Sequence, residues 1–262
     1  MYNVYYIIIF IFNIILYIMN KLFFYSHQGW TDIINCLPLL NYYKETECKN
    51  IYYIVREDAE NLVKYYTKDL NINIILIPKE ILDRHNIFDI IRDKNIIIDN
   101  NDLIKFHGMF DNLRRDKYNL AFTKCNGFFS TRFYTAYNIN PNVRINYFNI
   151  TRNIEVENNI YNNFIIKYGT EYILTHGNIN INKNNNCCYV KLDEISTTFF
   201  DMITVLLNAK EIHVIDSIWA VIIFLLETRY NMFLNKNITI YCNRGYYDMF
   251  RTDTVLNNIR IV

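Results

Sequence analysis

The chain has 262 residues, a formal net charge of +1 and six cysteines. A charge this close to zero excludes a general electrostatic attraction to nucleic acid, so we expect no nucleic-acid partner. The cysteines form no CxxC pair and show no metal-ligand spacing, which predicts reduced thiols in a cytoplasmic protein and no bound zinc. Ile, Asn, Lys and Tyr, which have A/T-rich codons, dominate the sequence, and we interpret this as the bias of an A/T-rich genome.

Residues 1–18 form a hydrophobic segment that is nearly all apolar from Tyr5 onward. It is short for a membrane-spanning helix, which needs about 20 apolar residues. It also lacks the basic start and the small-residue cleavage site of a signal peptide. Two interpretations stay open. The segment is either a short membrane anchor beside Lys21 or an extension upstream of a protein that starts at Met19.

The first half alternates between short apolar runs and helical patterns. Residues 22–25 predict a strand, followed by a helix capped by Thr31 or Asp32. Pro38 lies inside this helix and should kink it or lower its stability. Further strands are predicted at 51–55, 72–77 and 96–99, with a helix at 57–67. Residues 101–138 are predicted to form mixed helices and loops.

The second half repeats the pattern after a predicted strand at 144–150 and a segment at 151–167 that is predicted to be a helix or a loop followed by a helix. Strands are predicted at 171–175, 188–192, 211–215 and 238–242, helices at 198–207 and 218–226, an exposed loop at 178–186, and a short terminal helix or strand at 255–262. This alternation is typical of parallel βαβ units. It predicts an α/β protein with two Rossmann-like halves facing a cleft, an N-terminal domain at 19–150 and a C-terminal domain at 151–262.

The turn between the first strand and the first helix is the first candidate site. Gly29 lets a ligand approach the backbone closely, and the helix start offers N–H groups and a positive dipole end. His27 titrates near working pH, which suits acid–base chemistry. The alternative is that His27 and Asp32 only cap the helix and satisfy the turn.

Asp216 and Ser217 form the second candidate site, because a buried strand delivers them to a helix start. Such a serine, together with the first N–H groups of the helix, can bind a phosphate. The alternative is an ordinary N-cap. His213, in the middle of the same strand, is predicted to be a buried, hydrogen-bonded core residue.

Three further cations follow strands or precede the crossing into the second half. Arg152 could pair with a diphosphate, or alternatively with Glu155 on the surface. His176 and Arg244 follow predicted strands of the second half, where they line the same cleft or are ordinary loop residues.

Several common motifs are missing from the sequence: GxGxxG, GxxxxGK[ST], GxSxG and HExxH. Asp99 and Asp102 resemble an acidic metal motif only loosely. We therefore expect no magnesium-dependent nucleotide-sugar chemistry.

In chain order, the distinctive segments are the turn at 27–32 with Pro38, the pair Phe133 and Tyr134, residues 147–152 with Glu157, residues 172–176, and residues 208–217, which are the most specific. This ordered set resembles the small GT-B-type glycosyltransferase-like proteins of bacteria and large DNA viruses, which are distantly similar to heptosyltransferases and fucosyltransferases. The chain departs from the pattern at Thr31, where the family has a second glycine. It also departs at Ile218, where the family has a second small residue.

The resemblance implies metal-independent transfer of a hexosyl or pentosyl group from a nucleotide-sugar donor to a glycan or other hydroxyl acceptor, with no cofactor. The donor would lie on the second half. Its implied ligands are Ser217, Asp216, Arg152, His176 and Arg244, the cations among them stabilising the leaving group.

The resemblance also implies that the acceptor lies on the first half, beside Gly29 and Trp30. Asp32, ahead of His27, would be the base that deprotonates its hydroxyl. Three alternatives stay open: a catalytically inactive nucleotide- or sugar-binding module on the same fold, a sugar-nucleotide epimerase, and a phosphosugar hydrolase.

Overall fold

The computed structural model describes residues 21–26, 29–46, 50–78, 94, 96, 102–107, 129–181, 186–194, 198–242 and 258–262. The chain divides into two compact units. The first comprises Met1–Asn126 and Arg132–Tyr147, and the second comprises Gly127–Thr131 and Phe148–Val262. The hydrophobic segment 1–18 and most of the strand predicted at 96–99 lie outside the described residues. Within the described ranges, no helix is both long enough and apolar enough to cross a membrane.

The first unit contains a four-stranded sheet in the order β3-β2-β1-β4, and every pairing is parallel. The strands are β1 (Lys21–Ser26), β2 (Asn50–Arg56), β3 (Asn73–Ile77) and β4 (Leu103–His107). The first three confirm the predicted strands to within a residue at each end.

Strand β4 lies within the segment 101–138, where mixed helices and loops were predicted, and that prediction is wrong for residues 103–107. Lys105, at the centre of β4, interrupts the apolar pattern. Its ammonium group lies 4.3 Å from the ring centre of Tyr43 and 5.5 Å from that of Tyr137. The two aromatic rings stabilise the charge of Lys105 within the sheet. The apolar pattern of the segment alone gives no indication of these rings.

Four helices accompany this part of the chain: α1 (Trp30–Thr46), α2 (Glu60–Thr67), α3 (Phe129–Thr135) and α4 (Val143–Asn146). A 3-10 turn at Glu57–Ala59 leads into α2. The strand predicted at 144–150 is wrong, because α4 occupies its start. Pro141 precedes that helix, a position that favours helix initiation over a strand.

Helix α1 continues through Pro38 to its end at Thr46. Proline has no N–H to give to the carbonyl four residues earlier, so the turn before it is weakened. The Asn35 carbonyl in that turn accepts a hydrogen bond from the buried Tyr134 hydroxyl. The Asn35 amide donates to the Thr31 carbonyl at 2.9 Å. These bonds stabilise the helical turn that precedes Pro38.

The second unit contains a five-stranded parallel sheet in the order β6-β5-β7-β8-β9. Its strands are β5 (Tyr172–His176), β6 (Cys188–Lys191), β7 (Glu211–Ile215), β8 (Asn237–Tyr241) and β9 (Ile259–Ile261). Strand β7 matches its prediction residue for residue, and β9 is the strand alternative for the C-terminal segment.

The helices of the second unit are α5 (Ile154–Tyr168), α6 (Ile203–Asn208) and α7 (Ile218–Tyr230), with a 3-10 turn at Phe199–Met202 before α6. Helix α7 is buried from Ile218 to Glu227, which explains why its sequence is apolar on all sides. The buried Glu227 carboxylate accepts hydrogen bonds from the Phe233 N–H at 2.7 Å and the Asn258 amide at 3.2 Å.

Each strand order contains one point where the direction of winding reverses. It lies between β1 and β4 in the first unit and between β5 and β7 in the second. In open parallel sheets, ligands bind outside the carboxyl ends of the strands at such a switch point. The predicted mixed α/β class with parallel sheets is confirmed, and it directs attention to these two edges.

Candidate functional site

The switch point of the second sheet brings together two predicted site segments. His176 is the last residue of β5, and Asp216 and Ser217 follow β7 directly. Strands β5 and β7 pair in parallel, with His176 in register with Val214. Their carboxyl ends therefore lie at one edge of one sheet.

Ser217 is the N-cap of α7 by its backbone but not by its side chain. Its carbonyl accepts the Val221 N–H at 3.1 Å, while its hydroxyl makes no capping bond. The Ser217 Oγ is buried and has no hydrogen-bond partner among the described residues. A buried polar atom left in this state calls for an explanation, and a ligand atom supplies one. The hydroxyl and the first N–H groups of α7 together suit an anion.

Asp216 is fixed by its backbone, because its N–H donates to the Tyr241 carbonyl at 3.0 Å. Its side chain is buried, at 6 % exposure. Burial, and after it the charge of Asp216, raise the pKa of the neighbouring Cys242 thiol to about 11. The edge therefore carries a buried carboxylate beside the hydroxyl of Ser217.

The turn after His176 is held in place by packing. Gly177 has φ +84°, and a Cβ at this position would lie 2.6 Å from Ile215 Cδ1. Only glycine adopts this conformation readily and leaves space for Ile215. The chain after β5 thus lies against the residue that precedes Asp216.

The His176 ring faces a carboxylate that the sequence did not single out. Its Nδ1 lies 2.7 Å from Oδ1 of Asp193. The two atoms are close, but their angle is not that of a hydrogen bond. Asp193 lies in the 3-10 turn Leu192–Glu194 that follows β6. The only sequence signal for it was an acidic residue just after a strand.

His213 is a buried core residue, as predicted. Its Nε2 lies 2.9 Å from a Glu211 carboxylate oxygen, and its Nδ1 lies 3.2 Å from the Tyr241 hydroxyl. Both ring nitrogens are thus satisfied within the sheet.

Arg152 binds Glu157 rather than Glu155, so the predicted surface pair is wrong. Its Nε and Nη2 donate to the two carboxylate oxygens at 2.9 and 2.6 Å. The Glu157 carboxylate is fully buried and also accepts the Thr204 N–H at 3.1 Å and its hydroxyl at 2.8 Å. This network joins α5 to α6. The predicted contact of Arg152 with a diphosphate stays a prediction.

The first helix begins earlier than predicted. The Gly29 carbonyl accepts the N–H groups of Asp32 and Ile33 at 3.0 and 2.9 Å, and α1 starts at Trp30. The predicted cap at Thr31 or Asp32 is therefore wrong, because both residues lie inside the first turn. Asp32 is buried, at 6 % exposure, close to the positive end of the helix.

The Asp32 carboxylate interacts electrostatically with two buried side chains, Cys36 and Tyr53. Burial, and then the Asp32 carboxylate, raise the pKa of the Cys36 thiol one turn along α1. The Ser26 hydroxyl at the end of β1 lies 2.7 Å from the Tyr53 hydroxyl, and burial above all raises the pKa of Tyr53. The core of the first unit near Asp32 therefore contains the polar groups of Ser26, Cys36 and Tyr53.

Trp30 contacts an arginine that sequence reasoning missed. The guanidinium carbon of Arg56 lies 5.4 Å from the centre of the Trp30 ring, and the same group pairs with Asp58. Arg56 ends β2 and is 9 % exposed. A charged residue at the end of an apolar run was the available signal.

Two predicted site residues, His27 and Arg244, lie outside the described residues. In the part of the chain that the structure describes, no group of three or more His, Cys, Asp or Glu side chains is arranged to hold a metal ion.

No protein-family model and no curated protein matches the chain. Among solved structures, ADP-heptose LPS heptosyltransferase II of E. coli is similar in fold, with 10 % identity and a TM-score of 0.57 over 92 % of this chain and 90 % of that one. The glycosyl transferase family 9 protein of Veillonella parvula DSM 2008 has 9 % identity and a TM-score of 0.55 over 93 % and 86 % of the two chains. At these identities the similarity is one of fold, and it confirms the GT-B-like class.

Proposed function

We propose that this protein is a glycosyltransferase that moves a hexosyl or pentosyl group from a nucleotide-sugar donor to a hydroxyl acceptor without a metal ion. The observation that carries the proposal is the Ser217 hydroxyl. It is buried at the start of α7 without a hydrogen-bond partner in the described residues, and it does not cap the helix. An anionic diphosphate would satisfy both the hydroxyl and the first N–H groups of α7.

The donor is proposed to bind the second unit. Its diphosphate would rest on Ser217, and His176 would add a further N–H donor. The Asp216 carboxylate repels a phosphate but can accept hydrogen bonds, so it is suited to the hydroxyl groups of the nucleotide-sugar. Arg152 and Arg244 are proposed to add positive charge.

The acceptor is proposed to bind the first unit beside Gly29 and Trp30. Asp32 takes the proton of the acceptor hydroxyl, and His27 is the second candidate for this role. The acceptor oxygen then bonds to the anomeric carbon, and the bond from that carbon to the diphosphate oxygen breaks. The diphosphate leaves with the electron pair, and N–H donors stabilise its negative charge.

The printed names of the two structures with a similar fold, a heptosyltransferase and a glycosyl transferase, support sugar transfer as the reaction class. In each unit, the proposed ligand lies at the sheet edge where parallel sheets of this kind bind ligands.

The test is nucleotide binding followed by turnover. We would measure thermal shifts of the full chain with ADP-, UDP- and GDP-sugars, and then transfer or donor hydrolysis. We expect Ser217→Ala to weaken donor binding about tenfold, the value of one hydrogen bond to a charged group. We expect Asp32→Asn to abolish turnover and leave donor binding intact.

Each outcome has a separate meaning. Binding without turnover in the wild-type protein would favour the inactive binding module. Absence of binding with every nucleotide would reject both the enzyme and the module. Arg152→Gln distinguishes the two roles of that residue: weaker donor binding supports a diphosphate contact, whereas lower stability alone assigns it to the Glu157 network.

A further inference from the structure

We propose that Asp193 is a positioning residue that orients the His176 imidazole toward the anion site at Ser217. The inference rests on the donor site proposed above and deepens it. Nothing in the sequence pattern assigned a role to Asp193.

The first support is the contact between neighbouring strands. Thr175 of β5 is in register with Lys191 of β6, so the turn after β6 lies alongside the end of β5. From that turn Asp193 brings its Oδ1 to 2.7 Å from His176 Nδ1. The Asp193 side chain is 54 % exposed and that of His176 is 16 % exposed, so the carboxylate covers one side of a mostly buried ring.

The second support is the fixed backbone at His176. Gly177 holds φ +84° against Ile215, two residues before Ser217. The position of the His176 backbone relative to the start of α7 is therefore set by packing. The rotation of the ring is left to a side-chain contact, and Asp193 supplies one.

The chemical consequence concerns the two ring nitrogens. A carboxylate at Nδ1 favours the proton on Nδ1 and leaves Nε2 for a ligand. When both ring nitrogens carry hydrogen, the Nε2–H can donate to a phosphate oxygen. The present angle at Nδ1 is not that of a hydrogen bond, and such contacts commonly tighten when the ligand binds.

The charged and titratable side chains that the structure describes at this edge come from four strands. They are Lys191 and Asp193 at the end of β6, His176 on β5, Asp216 after β7, and Tyr241 and Cys242 at the end of β8. Asp193 is the one whose carboxylate contacts His176 among the described residues. The other carboxylate, Asp216, lies beside Cys242.

The experiment is a double-mutant cycle on the full chain. We would measure the affinity for ADP, UDP and GDP by calorimetry for the wild-type protein, Asp193→Asn, His176→Ala and the double variant. We expect Asp193→Asn to weaken binding about three- to tenfold, the range of one hydrogen bond. We expect the double variant to bind like His176→Ala, because Asp193 acts through the ring. Glu155→Gln, an exposed change of the same charge on α5, is the control and should leave affinity unchanged.

Additive losses in the double variant would overturn the proposal, as would unchanged affinity in Asp193→Asn. A second readout needs no ligand: nitrogen-15 spectra of the imidazole rings, with the His176 signals identified by His176→Ala among the five histidines. We expect a proton on Nδ1 of His176 in the wild-type protein and a changed Nδ1 signal in Asp193→Asn. An Nδ1 signal that Asp193→Asn leaves unchanged would overturn the inference even if no nucleotide binds, an outcome that would by itself reject only the proposed function.

Discussion

Helix α5 and the carboxyl edge of the second sheet each have a polar residue at a helix start and a glycine with positive φ, but these residues serve different purposes. Asn153 caps α5 by accepting the Val156 N–H at 3.2 Å, and Gly169 ends it by donating to the Ile165 carbonyl at 2.9 Å. At the sheet edge, Ser217 begins a helix without capping it, and Gly177 is packed against Ile215.

Asn153 and Gly169 complete the hydrogen bonding of a helix, whereas the Ser217 hydroxyl stays available to a ligand. A cap satisfies a backbone N–H that folding would otherwise leave open. An uncapped helix start with a buried hydroxyl leaves that capacity for another molecule. Substitutions at matched positions in α5 and at the edge test this separation.

The largest expected effect is that of Gly177→Ala, which should lower the free energy of unfolding by about 2–4 kcal/mol. The left-handed conformation accounts for part of the loss and the collision with Ile215 for the rest. Gly169→Ala is the matched control. Gly169 also has positive φ, but a Cβ there would meet nothing within 4 Å. We expect it to cost less, about 1–2 kcal/mol, from conformation alone. Urea unfolding of both variants measures the difference, and equal losses would show that contact with Ile215 contributes nothing.

Smaller changes in stability are expected at the starts of α5 and α7, and the two substitutions should differ in sign. Asn153→Ala should lower stability by about 1 kcal/mol, since it removes a capping bond. Ser217→Ala should leave stability unchanged or raise it slightly, because it removes a buried hydroxyl without a described partner. Thermal unfolding of the two variants without nucleotide is the measurement. A loss at Ser217 as large as that at Asn153 would mean that the hydroxyl completes the helix after all.

The smallest expected effect is the pH response of Cys242 at the same edge. Burial, and then Asp216, raise its pKa from 9.0 to about 11. The folded protein therefore keeps this proton at pH values where the unfolded chain releases it. The Cys242 contribution to stability is fully present below about pH 9 and is lost as the pH rises toward 11. Alkylation with iodoacetamide at pH 9.5, followed by peptide mass spectrometry, should modify Cys242 more slowly than the half-exposed Cys188. Equal rates would contradict the raised pKa.

The strands were largely predictable because their signal is local. Strand β7 alternates between polar and apolar residues from Glu211 to Val214, and its apolar residues end at Ile215, directly before Asp216. Strand β4 was missed because its central Lys105 is accommodated by rings that come from elsewhere in the chain. The pattern of one segment cannot show what another segment will place over it.

The candidate site follows the same rule. Asp216 and Ser217 were predictable, because a buried strand and a helix start adjoin them in sequence. Asp193 was not predictable, because its partner lies on a neighbouring strand. Glu157 was missed as the partner of Arg152 because that arginine lies before α5, where helical spacing does not apply.

The hydrogen bonds of Asn41 have a consequence for the order in which the first unit can fold during translation. The side chain lies on α1, and its amide donates to the Tyr66 hydroxyl at 3.0 Å and to the Tyr147 carbonyl at 2.8 Å. The Tyr66 hydroxyl donates to that same carbonyl at 3.1 Å. Tyr147 is 106 residues beyond Asn41. At roughly 5–20 residues per second, the ribosome needs about 5–20 seconds to supply it. Until then the Asn41 amide of the nascent α1 can bind the Tyr66 hydroxyl but not the Tyr147 carbonyl. The first unit is therefore completed late in translation.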